Sequence, residues 1–121
     1  MQTKAQQAGH DFSIGPYIER DSKGRETYRE TLKGYWQKRK YDAKGNETYY
    51  ADPGYWVKRK YDAKGNETYW EDPGYWVKRE YDAKGNKTYW EDSTGYWERS
   101  EYDRKGNETY FQNSGDSGWN R

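Results

Sequence analysis

The chain has 121 residues, enough for one domain, with 36% charged residues and a formal net charge of +1. Ile14, Ile18, Leu32, Val57 and Val77 are its only branched aliphatic residues, which excludes a thick aliphatic core. The absence of cysteine excludes disulfides and thiolate metal sites.

Aromatics make up 20% of the chain, as 15 Tyr, 7 Trp and 2 Phe. Such rings bury large areas while keeping a polar atom wet, and they favour strands. A thin sheet with half-exposed faces suits them. The charge is uneven: residues 33–64 carry nine Lys/Arg against four Asp/Glu, and residues 65–121 carry eight against twelve.

Residues 1–13 form a polar leader, expected to be flexible, with at most a weak helical pattern over 1–9. It shows no apolar run of the kind a signal peptide or a membrane span needs. A soluble, cytoplasmic protein is the default expectation.

From residue 14 to 113 the chain is a tandem repeat. Gly34-Tyr35-Trp36 recurs at Gly54, Gly74 and Gly95, with spacings of 20, 20 and 21 residues. The string YDAKGNETY stands at 41–49 and again at 61–69, and near copies start at Tyr81 and Tyr102. A divergent first copy, RDSKGRETY, occupies 20–28, giving five copies.

Each unit reads as a β-hairpin. Tyr55–Tyr61 is strand-like in composition. Asp62-Ala63-Lys64-Gly65 suits a type I turn closed by a left-handed glycine. Glu67–Glu71 returns, and Asp72-Pro73-Gly74 turns the chain again as a type II turn with positive φ at glycine. In the last linker, Asp92-Ser93-Thr94-Gly95, one extra residue suggests the type I-plus-glycine loop. Hairpin turns at 21–24, 42–45, 62–65, 82–85 and 103–106 give about ten strands. The fold class is all-β, an antiparallel meander forming a single-layer or solenoid-like sheet. Residues 114–121 read as a C-terminal tail.

The register follows from the loops. Tyr61 is expected opposite Glu67, Lys60 opposite Thr68, Arg59 opposite Tyr69 and Lys58 opposite Trp70. Across the linker, Asp72 should face Tyr75, Glu71 face Trp76 and Trp70 face Val77. This pairing makes the two sides of the sheet exchange roles at every repeat. Cross-strand aromatic and cation–π pairs such as Lys58–Trp70 are expected to hold it.

The motif Tyr-Asp-x-x-Gly-Asn-x-x-Tyr followed by Gly-Tyr-Trp resembles the tyrosine–aspartate (YD, or RHS-type) repeats of bacterial and phage proteins, over about residues 20–112. The resemblance implies a β-meander and a phage or bacterial origin. In large RHS proteins such repeats build a shell around a toxin, and this chain is too short to enclose anything. A looser, architectural likeness is to the choline-binding repeats of cell-wall proteins.

Catalysis finds little material. His10 is the single histidine and has no triad partners around it. The pairs Glu71/Asp72 and Glu91/Asp92 repeat with the unit, whereas a glycosidase needs one unique facing pair. The Asp62 turn lacks the ligand series of a calcium loop. No catalytic residue, cofactor or metal is expected, and the chain is read as a non-enzyme.

The basic runs Lys38-Arg39-Lys40 and Lys58-Arg59-Lys60 between aromatics suit single-stranded nucleic acid, but alternation sends neighbouring cations to opposite faces. The richest candidate surface is aromatic and arginine-bearing, the composition of protein-interface hot spots. It comprises Tyr35, Trp36, Arg39, Tyr55, Trp56 and Arg59, with Trp70, Tyr75, Trp76, Arg79, Trp90 and Trp97. The leading expectation is a non-catalytic protein-binding repeat module, for example a phage-encoded inhibitor of a host defence protein such as a CRISPR effector. Two alternatives stand beside it: an aromatic-cage module for glycan or choline, and a structural or designed scaffold without a partner. Self-association is a further expectation, a membrane is not, and nucleic acid ranks last.

Overall fold

The computed structural model describes residues 2–115 and 119–120. The chain divides into two compact units, Met1–Val57 and Lys58–Arg121. In the first, a short helix α1 (Lys4–Ala8) and a 3-10 turn (Phe12–Ile14) precede β1 (Tyr17–Arg20), β2 (Glu26–Glu30), β3 (Trp36–Tyr41) and β4 (Glu47–Asp52). Strand β5 (Tyr55–Tyr61) runs through the boundary. The second unit continues with β6 (Glu67–Asp72), β7 (Tyr75–Tyr81), β8 (Lys87–Asp92), β9 (Trp97–Tyr102), β10 (Glu108–Asn113) and β11 (Trp119–Asn120). Inside each unit, strands adjacent in sequence pair antiparallel, as the repeat predicts. Residues 114–121, read as a tail, contribute β11, whose Trp119 and Asn120 pair with Phe111 and Tyr110. The rest of that segment, 116–118 and 121, lies outside the described residues.

The hairpin turns are built as expected. Asp62 N–H donates to Asn66 O at 2.9 Å, Gly65 N–H donates to Asp62 O at 3.0 Å, and Gly65 has φ +87°. A side-chain bearing residue is strained at that φ, which is why glycine recurs there. The Asp62 carboxylate organises the loop. Its Oδ1 accepts the N–H groups of Lys64 and Asn66 at 2.9 Å each, and its Oδ2 accepts Asn66 Nδ2 at 3.1 Å. Both oxygens accept hydrogen bonds from within the turn itself. The lysine of the turn also reaches forward: Lys23 Nζ donates to Ala43 O at 3.4 Å, Lys84 Nζ donates to Arg104 O at 2.6 Å, and Lys64 Nζ donates to Ala83 O.

These turns make stability depend on pH. Hydrogen bonds from the Asn66, Asn86 and Asn107 N–H groups hold the Asp62, Asp82 and Asp103 carboxyls below the usual carboxylate range, against a smaller opposing effect of burial. A depressed folded pKa stabilises above the unfolded value of about 3.9, and that contribution is lost as pH falls through the folded value. The urea midpoint should therefore be flat from about pH 5 to 7 and fall below about pH 4. Urea titrations followed by tryptophan fluorescence at stepped pH check it, and Asp62→Asn should flatten the acid limb.

The linker turns depart from expectation. Gly54 and Gly74 do not have positive φ, so Asp-Pro-Gly is not a type II turn. Instead Asp52 Oδ1 accepts Gly54 N–H, and Asp72 Oδ1 accepts Gly74 N–H, each at 2.9 Å. The aspartate closes the turn through its side chain, and no left-handed residue is needed. The longer linker behaves as predicted: Gly95 has φ +91° and donates to Asp92 O at 3.1 Å.

Across the Asp72 linker the register is the expected one, with Asp72 opposite Tyr75, Glu71 opposite Trp76 and Trp70 opposite Val77. Within the hairpin it is not. Tyr61 faces Glu67 as expected, but then Lys60 faces Tyr69, Arg59 faces Trp70 and Lys58 faces Glu71. Thr68 is the extra residue of a β-bulge. The same shift occurs in all five hairpins, at Thr27, Thr48, Thr68, Thr88 and Thr109. A side-chain period of two means that one extra residue reverses the side on which every later residue lies. The bulge thus cancels the predicted exchange of faces, and successive repeats in a unit present the same side chains to the same side. It also removes the expected Lys58–Trp70 pair.

The polar leader carries more local structure than its sequence suggested. Thr3 Oγ1 accepts Gln6 N–H at 3.1 Å, and Gln6 Oε1 accepts Thr3 N–H at 2.9 Å, a reciprocal cap of the helix start. Gly9 ends the helix at φ +66°. Ala5 is fully buried, and its N–H donates to Glu30 Oε1 at 3.3 Å.

Candidate functional site

The bulges sort the charged and aromatic residues onto two sides of each unit. Direct pairing puts opposed residues on one side. In the second unit, Arg59, Trp70, Val77, Arg79 and Trp90 share a side. In the first, Arg39 and Tyr50 hold the corresponding positions. We call this the arginine side.

Its charges are consumed locally. Arg39 lies between Glu26 at 3.6 Å and Glu47 at 3.4 Å. In the second unit Glu67 receives Arg59 at 3.6 Å and Arg79 at 2.9 Å. The ladder stops where Lys87 replaces a glutamate and Ser100 replaces an arginine, so the two changes come together. The rings are also engaged. Trp70 meets Tyr75 at 6.3 Å and Trp90 meets Tyr96 at 5.8 Å between centroids. Tyr75 Oη donates to Asp92 at 2.6 Å, and Tyr35 Oη donates to Asp52 at 3.3 Å. Val57, Val77, Asp92 and Ser100 are buried beneath this layer. Tyr75 is held above the usual phenol range by its bond to Asp92 and then by burial.

The opposite, tryptophan side alternates indoles with cations. Lys38 lies over the Trp36 ring at 5.0 Å, Lys78 over Trp76 at 5.1 Å and Arg99 over Trp97 at 5.5 Å. Each cation sits two residues after its tryptophan, on the same side of one strand. Lys40 over Tyr49 at 5.6 Å and Lys60 over Tyr69 at 5.7 Å add cross-strand pairs. Lys38, Lys40, Lys60 and Lys78 are exposed. Tyrosine hydroxyls on this side donate to an acid two residues on: Tyr28 to Glu30 at 2.8 Å, Tyr69 to Glu71 at 3.0 Å and Tyr89 to Glu91 at 3.1 Å.

The twelve candidate residues are therefore not one surface. Trp36, Trp76 and Trp97 belong to the tryptophan side, and alternation along β5 sends Trp56 to the side of Lys58 and Lys60. Arg39, Arg59, Trp70, Arg79 and Trp90 lie on the arginine side, with Tyr35 and Tyr75 bonded into it. Tyr55 is 41% exposed and points the other way from Trp56 along β5. Sequence reasoning missed the Tyr–Glu pairs, which the recurring spacing of Tyr69/Glu71 and Tyr89/Glu91 signals. It also expected alternation to scatter the basic runs. Arg39 and Arg59 do leave their neighbours, while Lys38 with Lys40, and Lys58 with Lys60, share a side.

His10 packs within the leader and the start of β1. Its Nε2 is 2.9 Å from Gly15 O, and its ring meets Phe12 and Tyr17 edge-on. Glu71 and Asp72, like Glu91 and Asp92, project to opposite sides of their strands and do not face each other. Among the described residues no group of three or more His, Asp or Glu is placed to hold a metal ion. No helix among them is long and apolar enough to cross a membrane.

No protein-family model matches the chain, and no curated protein does. A solved structure does: a chain of the Tc holotoxin pore of Photorhabdus luminescens, with a TM-score of 0.53 and 19% identity. The match covers 82% of this chain and 5% of that one, so this chain spans a small fraction of its neighbour's length. At such identity the likeness is one of fold. It supports a tandem β-repeat module.

Proposed function

We propose that the chain is a non-catalytic repeat module that binds a protein partner through the tryptophan side of its hairpins. The observation that carries this reading is the asymmetry of the two sides. Arginines on one side are matched to glutamates and the rings there close over buried valine. The other side offers half-buried indoles rimmed by exposed lysines, the composition of interface hot spots.

The same side weighs against the other ligands. A choline-type cage needs the face of an indole open to a cation, and Lys38, Lys78 and Arg99 already occupy those faces. Nucleic acid would meet Glu71, Glu80, Glu91 and Glu101 among the lysines of the second unit. A protein surface with charges of both signs fits better. A host defence protein, the finer reading drawn from the repeat resemblance, is one partner within this proposal.

Capture from bacterial lysate tests it with paired variants. A protein retained by the wild type should be lost with Trp36→Ala/Trp76→Ala and kept with Arg79→Lys. Equal retention by all three, or nothing above background, would remove the reading.

A further inference from the structure

The leader shows what one Tyr–Glu pair binds. In the first unit, Tyr28 faces Glu19 across β1 and Lys38 across β3, and Glu30 faces Trp36. On this platform Ala5 N–H donates to Glu30, while Lys4 bonds Glu19 at 3.2 Å and lies over the Tyr28 ring at 4.9 Å. Burial alone would disfavour the Glu30 carboxylate, yet hydrogen bonds from Thr3, Tyr28 and Ala5 hold its carboxyl below the usual range. The leader is thus bound by its first helical turn and one lysine.

The second unit repeats this platform. Tyr89 faces Glu80 across β7 and Arg99 across β9, and Glu91 faces Trp97. Tyr89, Glu91, Glu80, Trp97 and Arg99 stand in the register positions of Tyr28, Glu30, Glu19, Trp36 and Lys38. The Tyr89 hydroxyl is bonded to Glu91 as Tyr28 is to Glu30. An open groove of about 520 Å³ lies between Glu80, Tyr89, Arg99 and Glu101. Its counterpart in the first unit, about 460 Å³, has Lys4 in its wall. Where the first has Lys40, the second has Glu101, which makes it the more acidic of the two.

We propose that the Glu80–Tyr89–Glu91 platform of β7 and β8 is a docking site for the lysine-bearing first turn of a helix on a partner protein. The proposal rests on the protein-binding reading above and specifies the partner's chemistry. The partner's lysine takes the place of Lys4, between the Glu80 carboxylate and the Tyr89 ring. A free N–H of the helix start takes the place of Ala5, at Glu91. The chain's own leader is held at Glu30 with Ala5 fully buried, so a separate molecule is the fitting occupant.

A peptide of residues 1–10, amidated at its C-terminus, is titrated into the full isotope-labelled chain, with amide and indole shifts followed by NMR. Saturable shifts centred on Tyr89, Glu91 and the Trp97 indole are expected. Affinity should fall at least tenfold with Glu80→Gln/Glu91→Gln, and equally with Lys4→Gln in the peptide. It should be unchanged with Glu71→Gln, because Tyr69 has Lys60 opposite it where Tyr89 has Glu80. Shifts confined to β1 and β2, absence of saturation, or equal affinity in the double variant would overturn the site. Self-association of the peptide-free chain that vanishes with Lys4→Gln would overturn the assignment to a partner, since a second copy would then be the occupant. A lysate protein that depends on Trp36 and Trp76 but not on Glu80 and Glu91 would sink this site and leave the broader reading standing.

Discussion

Inserting one alanine between Tyr89 and Trp90 should destabilise the second unit by about 3 kcal/mol or more, whereas deleting Thr88 should cost about 1 kcal/mol or less. Thr88 is the unpaired residue between Lys87, which faces Tyr81, and Tyr89, which faces Glu80. Taking it out leaves Lys87 opposite Tyr81, Tyr89 opposite Glu80 and Trp90 opposite Arg79, now in plain alternation, so every side chain keeps its side. An added residue beyond the bulge does the reverse. Trp90 would leave the side where it meets Tyr96 at 5.8 Å, and Glu91 would take its place on the side of the Arg79 row. Buried Asp92 would lose the Tyr75 hydroxyl and be carried to the lysine-bearing side. A register slip of one residue moves the whole set at once, which is why the insertion outweighs any single contact. Urea unfolding of both proteins by tryptophan fluorescence distinguishes them. Similar midpoints would mean that the strand absorbs the added residue as a second bulge.

That experiment probes the feature least visible in the sequence. The repeat, the hairpin loops and the linker register were all legible, because each is a local event with a residue type that demands it. Asp62 caps its own turn and Gly65 takes positive φ. A bulge has no such signature residue. Its only trace is that a threonine stands before the tyrosine in all five copies, at 27, 48, 68, 88 and 109. Threonine is an ordinary strand residue, so its recurrence reads as strand propensity. The error then propagated: with the wrong parity, Trp70 was grouped with Lys58 and both sides looked chemically alike.

The candidate site suffered from the same parity. Residue type gathered the rings and cations into one population, and the bulge divided it between an arginine–glutamate ladder on one side and an indole–cation row on the other. The Asp-Pro-Gly linkers misled more narrowly. Proline followed by glycine suits a type II turn, but the preceding Asp52 or Asp72 supplies an acceptor that closes the turn without a left-handed residue. The leader was legible in part. Thr3-Lys4-Ala5-Gln6 has the spacing of a reciprocal cap. What the sequence could not reveal is the surface that rewards it, since Glu19, Tyr28 and Glu30 come together only after the first hairpin forms.

In the second unit the arginine side carries the buried valine, so a charge there should have an effect second only to the insertion. Val77 is 4% exposed, with Trp70 opposite on β6 and Asp92 opposite on β8. Val77→Ala removes two methyl groups and should cost about 1–2 kcal/mol. Val77→Asp should cost about 3 kcal/mol or more at pH 7, because it buries a carboxylate without a cationic partner and sets it across from Asp92. The two variants should also separate in their pH dependence. Burial and the facing Asp92 raise the pKa of the new carboxyl in the folded state above its unfolded value. A raised acid destabilises fully above its folded pKa, and the penalty shrinks as pH falls through that value and the group is neutralised. The native turn aspartates run in the opposite sense, losing their contribution in acid. The stability gap between Val77→Asp and Val77→Ala should therefore narrow between about pH 7 and 4, before the shared acid unfolding begins. Paired urea titrations across that range measure it. A gap independent of pH would mean that the new side chain turns out to solvent, and that the rings of Trp70 and Tyr75 do not seal this side.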